Sequence, residues 1–122
     1  MTVVLDASAI LAHILGEPGA DRVEAALADS AVCSAVNWAE VVQHTVRRGV
    51  SGQTLAAYAL LHGLTIESVG QADAELVGEM QRVGDGLSLA DRFCLVLAER
   101  LDAVALTADR AWQSRPSVEM IR

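Results

Sequence analysis

The opening of the chain constrains the fold more than any other stretch. Val3-Val4-Leu5 is a short apolar run that ends abruptly in a carboxylate, Asp6. Small and hydroxyl residues follow, Ala7-Ser8-Ala9, and then a second apolar run. This pattern reads as a buried strand that delivers one aspartate to a sheet edge and turns into a helix. In open α/β sheets, ligands gather outside the carboxyl ends of the strands. The residues able to meet Asp6 at that edge therefore bear most directly on function.

The rest of the chain repeats the strand-then-helix alternation. Ser8 to Leu15 and Ala20 to Ala28 read as helices, separated by the Gly16-Glu17-Pro18-Gly19 break. Ala31 to Ser34 is a second apolar strand, and Ala35 to Arg48 is an amphipathic helix ending at Gly49. A further helix runs from Ser51 to about Gly63, followed by a β-branched third strand, Thr65 to Val69. Gln71 to Val83 reads as a helix and Gly84-Asp85-Gly86 as a turn. In Leu87 to Leu101, Ala90, Phe93, Cys94, Leu97 and Leu101 recur at helical spacing. Val104 to Thr107 is a fourth strand, Ala111-Trp112 lies in a short helical piece, and Val118 to Ile121 fits a final edge strand. Such alternation predicts an α/β fold, a parallel sheet of four to five strands covered on both faces. With 122 residues and no linker or repeat, residues 1–122 are expected to form one domain.

Four acids stand where packing does not require them. Asp6 ends the first strand, Glu40 lies in the helix after the second, Asp91 lies in the first turn of the strongest helix, and Asp109 follows the fourth strand. Strand ends and helix starts of these elements can share one edge of a parallel sheet. Carboxylates without Lys or His among them are hard oxygen ligands, suited to Mg²⁺ or Mn²⁺. Such a site activates water and holds a phosphodiester in line. Ser8 and Thr107 lie two positions from an aspartate and can hydrogen-bond a ligand carboxylate. Each acid also has a purely structural reading. Asp6 and Asp109 can cap the helices that follow, Ser88 and Asp91 fit an S-x-x-D capping box, and Glu40 shares a polar stripe with Asn37, His44 and Arg47.

These same residues carry a family resemblance. V-L-D-A-S-A around Asp6, S-A-V-N-W-A-E around Glu40, G-L-S-L-A-D-R-F-C-L-V-L-A around Asp91 and A-L-T-A-D-R-A-W around Asp109 resemble, in order and spacing, the PIN domains, and among them the VapC toxins of type II toxin–antitoxin modules. The resemblance implies a Rossmann-like α/β/α sandwich and an Mg²⁺- or Mn²⁺-dependent endoribonuclease. It also implies a VapB-type antitoxin that blocks the site, often through an Arg or Lys reaching the acids, and a homodimer. By the same carry-over Asp6, Glu40, Asp91 and Asp109 form the acidic quartet, Ser8 and Thr107 support it, and Asn37 is its neighbour.

Composition qualifies this expectation. The formal net charge is −7, a poor generic surface for nucleic acid, though a bound cation would cancel acidic charge locally. All nine basic residues are Arg, which suits bidentate phosphate contacts. Arg92 and Arg110 each follow a quartet aspartate and are candidates for RNA contact, while Arg47-Arg48 reads as a helix C-terminal charge pair. The absence of Lys also argues against phosphoryl-transfer domains of the haloacid-dehalogenase or receiver type. A catalytically idle PIN-like binding subunit is the other alternative. Cys33 and Cys94 read as core residues, and Trp38 and Trp112 as core or interface anchors. His13, His44 and His62 share no ligand spacing. With no leader-like start and no apolar run of about 18 residues, a cytoplasmic protein without a membrane segment is expected. The strongly apolar helix from Thr54 to Leu61 suggests a subunit or antitoxin contact.

Overall fold

The computed structural model describes residues 1–80 and 85–122. Five parallel strands, β1 (Val3–Leu5), β2 (Ala31–Ser34), β3 (Thr65–Glu67), β4 (Val104–Thr107) and β5 (Val118–Met120), form one sheet in the order β3-β2-β1-β4-β5. Six helices connect them: α1 (Ala7–Leu15), α2 (Ala20–Asp29), α3 (Ala35–Val46), α4 (Gly52–Leu61), α5 (Gln71–Glu79) and α6 (Leu89–Arg100). Arg110–Trp112 forms a single 3-10 turn. The α/β/α arrangement predicted from the alternation is therefore present. The expected helix extension to Val83 and Gly84 of the expected turn lie outside the described residues.

Period-two alternation assigns strand side chains to the two layers. Val3, Leu5, Ala31, Cys33 and Leu106 face α1 to α4, where Ile10, Val23, Leu27, Val41 and Leu55 complete one core. Val4, Val32 and Ala105 face α6, where Cys94, Leu97 and Ala98 join fully buried Trp112. Both cysteines are buried free thiols, one on each side of the sheet, as core residues would be. Trp38 packs against the first core.

Gly19 fixes the outer corner of this arrangement. Its φ of +96° lies in the left-handed region, and a Cβ there would come within 2.6 Å of the Ile121 carbonyl oxygen. Only glycine lets the start of α2 pass this close to the chain leaving β5.

The strand order creates the edge at which a site would form. From β1 the chain steps outward through β2 to β3, then crosses back to β4 on the opposite side of β1. The topological switch point is thus between β1 and β4, whose register pairs Leu5 with Leu106. A crevice opens at such a point because the connections leave the two strands in opposite directions. The next residues along these strands are Asp6 and Thr107.

Candidate active site

A cleft of about 320 Å³ lies at this edge, lined by Asp6, Ser8, Glu40, Asp91 and Asp109 together with Gln43, His44 and Arg47. All four predicted acids therefore reach one cavity from four different elements. The capping geometry that gave each its structural reading also aims it.

Asp6 is the N-cap of α1 and is only 4% exposed. Its Oδ1 accepts the Ala9 N–H at 2.9 Å and the Ser8 hydroxyl at 2.7 Å, and its Oδ2 accepts the Thr107 hydroxyl at 2.7 Å. The Ser8 oxygen in turn accepts the Ala108 N–H, and the Thr107 oxygen accepts the Asp109 N–H. Each hydroxyl has one proton. With both protons directed at Asp6, the 3.2 Å approach of Ser8 to Thr107 is an oxygen–oxygen contact rather than a further bond. The two hydroxyls thus tie the end of β1 to the end of β4 through one carboxylate.

Asp91 completes a reciprocal capping box at the start of α6. Ser88 Oγ accepts the Asp91 N–H at 3.1 Å, and Asp91 Oδ2 accepts the Ser88 N–H at 2.9 Å. Asp109 caps the 3-10 turn, its Oδ1 accepting the Ala111 N–H at 3.0 Å. Glu40 is oriented by Asn37, which is 1% exposed. The Asn37 amide nitrogen donates to Glu40 Oε1 at 3.1 Å and to the Ala90 carbonyl at 3.0 Å, while its oxygen accepts the hydroxyl of Ser34, the N-cap of α3. One buried amide therefore joins α3 to the residue before Asp91. Among the described residues, Asp91 Oδ1, Asp109 Oδ2 and Glu40 Oε2 accept no hydrogen bond.

The electrostatics are those of crowded like charges. Burial pushes Asp6 up to about 6, against the pull of its hydrogen-bond donors and with a further push from Asp91. Glu40 is also raised, first by burial and then by Asp91, with Asn37 opposing. Among the described residues, no three of the quartet bring carboxylate oxygens within 4.8 Å of one another. The cleft is an open acidic bowl.

The two arginine candidates behave differently. Arg110 is exposed one residue beyond Asp109 and does not line the cleft. Arg92 is turned away from it: 8% exposed, it donates through Nη2 to both Asp85 oxygens at 3.0 Å. Neighbours in a helical sequence point about 100° apart, so Arg92 cannot follow Asp91 into the cleft. Sequence reasoning missed Gln43, His44 and Arg47 as cleft residues. The signal was the stripe Asn37, Glu40, His44, Arg47, whose direction depends on where α3 packs.

Comparisons with known proteins agree with this fold. The family model for the PIN domain matches residues 3–117. No curated protein sequence matches. Among solved structures, a toxin–antitoxin complex from Klebsiella pneumoniae superposes with a TM-score of 0.77 at 20% identity, covering 98% of this chain and 98% of that one. VapBC2 from Rickettsia felis, bound to a DNA fragment from its promoter, gives 0.63 at 15% identity and covers 98% of both chains. PAE2754 from Pyrobaculum aerophilum gives 0.62 at 18% identity, covering 99% of this chain and 84% of that one.

Proposed function

The chain belongs to the PIN-domain family, and from that premise we propose that it is a divalent-metal-dependent endoribonuclease, the toxin of a toxin–antitoxin pair, acting in the cytoplasm as one domain over residues 1–122. The observation that carries this reading is the convergence of Asp6, Glu40, Asp91 and Asp109 on one cleft at the switch point of the sheet. Their donor set is all oxygen, and three carboxylate oxygens lack hydrogen-bond donors among the described residues. A buried carboxylate held near pKa 6 beside other carboxylates is the environment a hard divalent cation would relieve. The residues present fit Mg²⁺ or Mn²⁺ on these grounds.

Asp6, Asp91, Asp109 and Glu40 would hold the cation. When bound, it supplies Lewis-acid stabilisation of phosphodiester charge and activation of water. The chain's own groups do the positioning. Ser8 and Thr107 lock the Asp6 carboxylate between two strands, and Asn37 locks Glu40 against the start of α6. Arg47, exposed on the cleft wall, offers a planar guanidinium to a substrate phosphate, and Arg110 extends that reach beyond Asp109.

A partner fits the same surface. The acidic cleft complements a basic side chain of an antitoxin of the VapB type, and the Klebsiella pneumoniae and Rickettsia felis neighbours are themselves toxin–antitoxin assemblies. Leu60 and Leu61 at the end of α4 are 85% and 81% exposed, an apolar surface that supports subunit or antitoxin contact, including a homodimer.

The test is cleavage of total RNA by purified protein in Mg²⁺, with Asp91→Asn and Glu40→Gln beside wild type. The expected loss is about 10³-fold for Asp91→Asn, the several kcal/mol that such charge stabilisation contributes. Equal cleavage by wild type and Asp91→Asn would overturn the reading, and mapped cut ends would identify the RNA class.

A further inference from the structure

The far end of α1 carries a second cluster unlike the acidic cleft. His13 on α1, Glu24 on α2 and His62 at the end of α4 place one ligand atom each within 4.8 Å of one another. They are the one such triad of histidine, cysteine, aspartate and glutamate among the described residues. Sequence spacing could not reveal them, because each comes from a different helix.

The geometry points to a transition-metal site of two imidazoles and a carboxylate, taking Zn²⁺ or a similar borderline ion such as Ni²⁺ or Co²⁺. This inference is independent of the proposed nuclease activity. It rests first on the way His13 is held. Its Nδ1 lies 2.6 Å from the Tyr58 hydroxyl, and its Nε2 meets the Glu24 carboxylate. Metal-binding histidines are oriented in this way: one ring nitrogen donates to a fixed oxygen, and the other presents its lone pair. When Tyr58 accepts from Nδ1–H, Nε2 is bare and faces a carboxylate. In the other tautomer Nε2–H donates to Glu24 and the Tyr58 hydroxyl donates to Nδ1, and a metal ion would displace that Nε2 proton.

The second support is the aromatic frame. His62 stands edge-on to His13 with ring centroids 5.1 Å apart, and it lies 4.6 Å from the Tyr58 ring. His62 is therefore held beside the same point in space by a neighbour that already orients His13. Ligand bonds of about 2.0–2.2 Å at tetrahedral angles put ligand atoms roughly 3.2–3.6 Å apart around a zinc ion. Metal entry needs Glu24 to swing out of its direct contact with His13 Nε2 while the three ligand atoms, within 4.8 Å of one another, gather on the ion, and its 60% exposed side chain has room to do so. Solvent access through Glu24 leaves a fourth position for water.

The third support is ligand chemistry. Imidazole nitrogen favours zinc-like ions over Mg²⁺, whereas an all-oxygen cleft also accommodates hard ions such as Mg²⁺. The molecule thus carries two sites of different preference at the two ends of one helix, whose N-cap is Asp6. A metal at the distal end would staple α1 to α2 and α4.

The experiment is calorimetric titration with Zn²⁺ alone, in excess Mg²⁺ for wild type and without Mg²⁺ for the Asp6→Asn/Asp91→Asn double variant. The expected result is one Zn²⁺ per chain in both, with affinity reduced at least about 10-fold by His62→Gln or Glu24→Gln but retained in His44→Gln. Both substitutions lie on partly or fully exposed side chains, so they test the site without emptying the core. In the imidazole nitrogen spectrum, Zn²⁺ should fix His13 as the Nδ1–H tautomer with Nε2 coordinated. Absence of Zn²⁺ binding under both conditions would overturn the proposal. So would binding that survives His62→Gln and Glu24→Gln unchanged.

Discussion

Asp6 and Asp85 are both acceptors of backbone N–H groups, yet the protein treats them oppositely. Asp85 accepts the Leu87 N–H at 3.0 Å, both its oxygens take the Arg92 guanidinium, and Arg115 stands 3.6 Å away. Its pKa is lowered, first by the Leu87 hydrogen bond, with burial opposing and Arg92 and Arg115 adding to the fall. Asp6 has no guanidinium partner, only hydroxyls and an amide, with Asp91 nearby; its pKa rises to about 6. One aspartate is neutralised by its own chain and fixes structure. The other is left short of positive charge, the deficit that a cation would fill under the proposed function.

The largest effect should come from removing the deficit itself. Asp6→Asn is expected to reduce Mg²⁺-dependent RNA cleavage by about 10³-fold while stabilising the metal-free protein. The sign follows from linkage. The native carboxyl binds its proton up to about pH 6, whereas the unfolded one releases it near 3.8. Wild-type stability therefore falls as pH rises from 3.8 through about 6, and the full cost, about 3 kcal/mol, persists above that. Asp6→Asn should flatten this dependence and raise the apo-protein Tm at pH 7.5, with little gain at pH 4. Thermal melts across that range, with and without Mg²⁺, read it directly. An apo variant less stable than wild type at pH 7.5 would show that the hydrogen bonds of Asp6 outweigh its charge.

Arg92 gives the converse on the balanced side. Arg92→Met keeps the buried stem and leaves Asp85 without the Nη2 donor that its two oxygens share. The expected result is a Tm lowered by about 5 °C or more, with cleavage per folded molecule reduced far less than by Asp6→Asn. The Asp85 contribution also has the opposite pH sign. Its lowered pKa stabilises the fold above the ordinary carboxylate range and is lost as pH falls below it. If Arg92→Met abolished cleavage without lowering the Tm, Arg92 would be an RNA contact after all.

Much of this comparison was legible before the structure, and the exceptions are instructive. Val3-Val4-Leu5, Ala31 to Ser34 and Val104 to Thr107 are apolar runs with β-branched residues, and they form strands at the expected bounds. The acids were legible because carboxylates at strand ends and helix starts converge in any parallel sheet. What sequence lacked was rotation and long-range packing. The α3 stripe was visible, yet only its seat against α6 turns Glu40, His44 and Arg47 toward Asp91. Arg92 turns to Asp85 and not to the cleft because adjacency in sequence is not adjacency on a helix. The helix expected from Leu87 starts at Leu89, because the Leu87 N–H is taken by Asp85 and Ser88 caps.

Asn37 tests that seating. Asn37→Ala removes the bond to Glu40 and the bond to Ala90 together, and should lower cleavage by about 10–100-fold, as loss of a ligand-orienting group does. Asn37→Asp is the sharper variant. It keeps an oxygen for Ser34 but replaces the donor with another acid, so it should be worse than alanine and recover partly at higher Mn²⁺.

Arg47 carries the smallest expected effect and separates substrate attraction from the metal centre. It is exposed at the end of α3 and makes no ion pair among the described residues, so its removal leaves the fold intact. Arg47→Gln should raise KM for RNA about tenfold, with kcat within a few-fold of wild type, because a phosphate contact at the rim binds ground and transition states alike. The salt dependence supplies the independent readout: losing one phosphate contact reduces the slope of log affinity against log salt by about 0.7 on a single strand. In a chain of net charge −7, one guanidinium in the cleft has to work against the general field of the protein. An unchanged slope would move RNA attraction to Arg110 or to another surface, and would leave the acidic cleft dependent on its cation alone to hold phosphate.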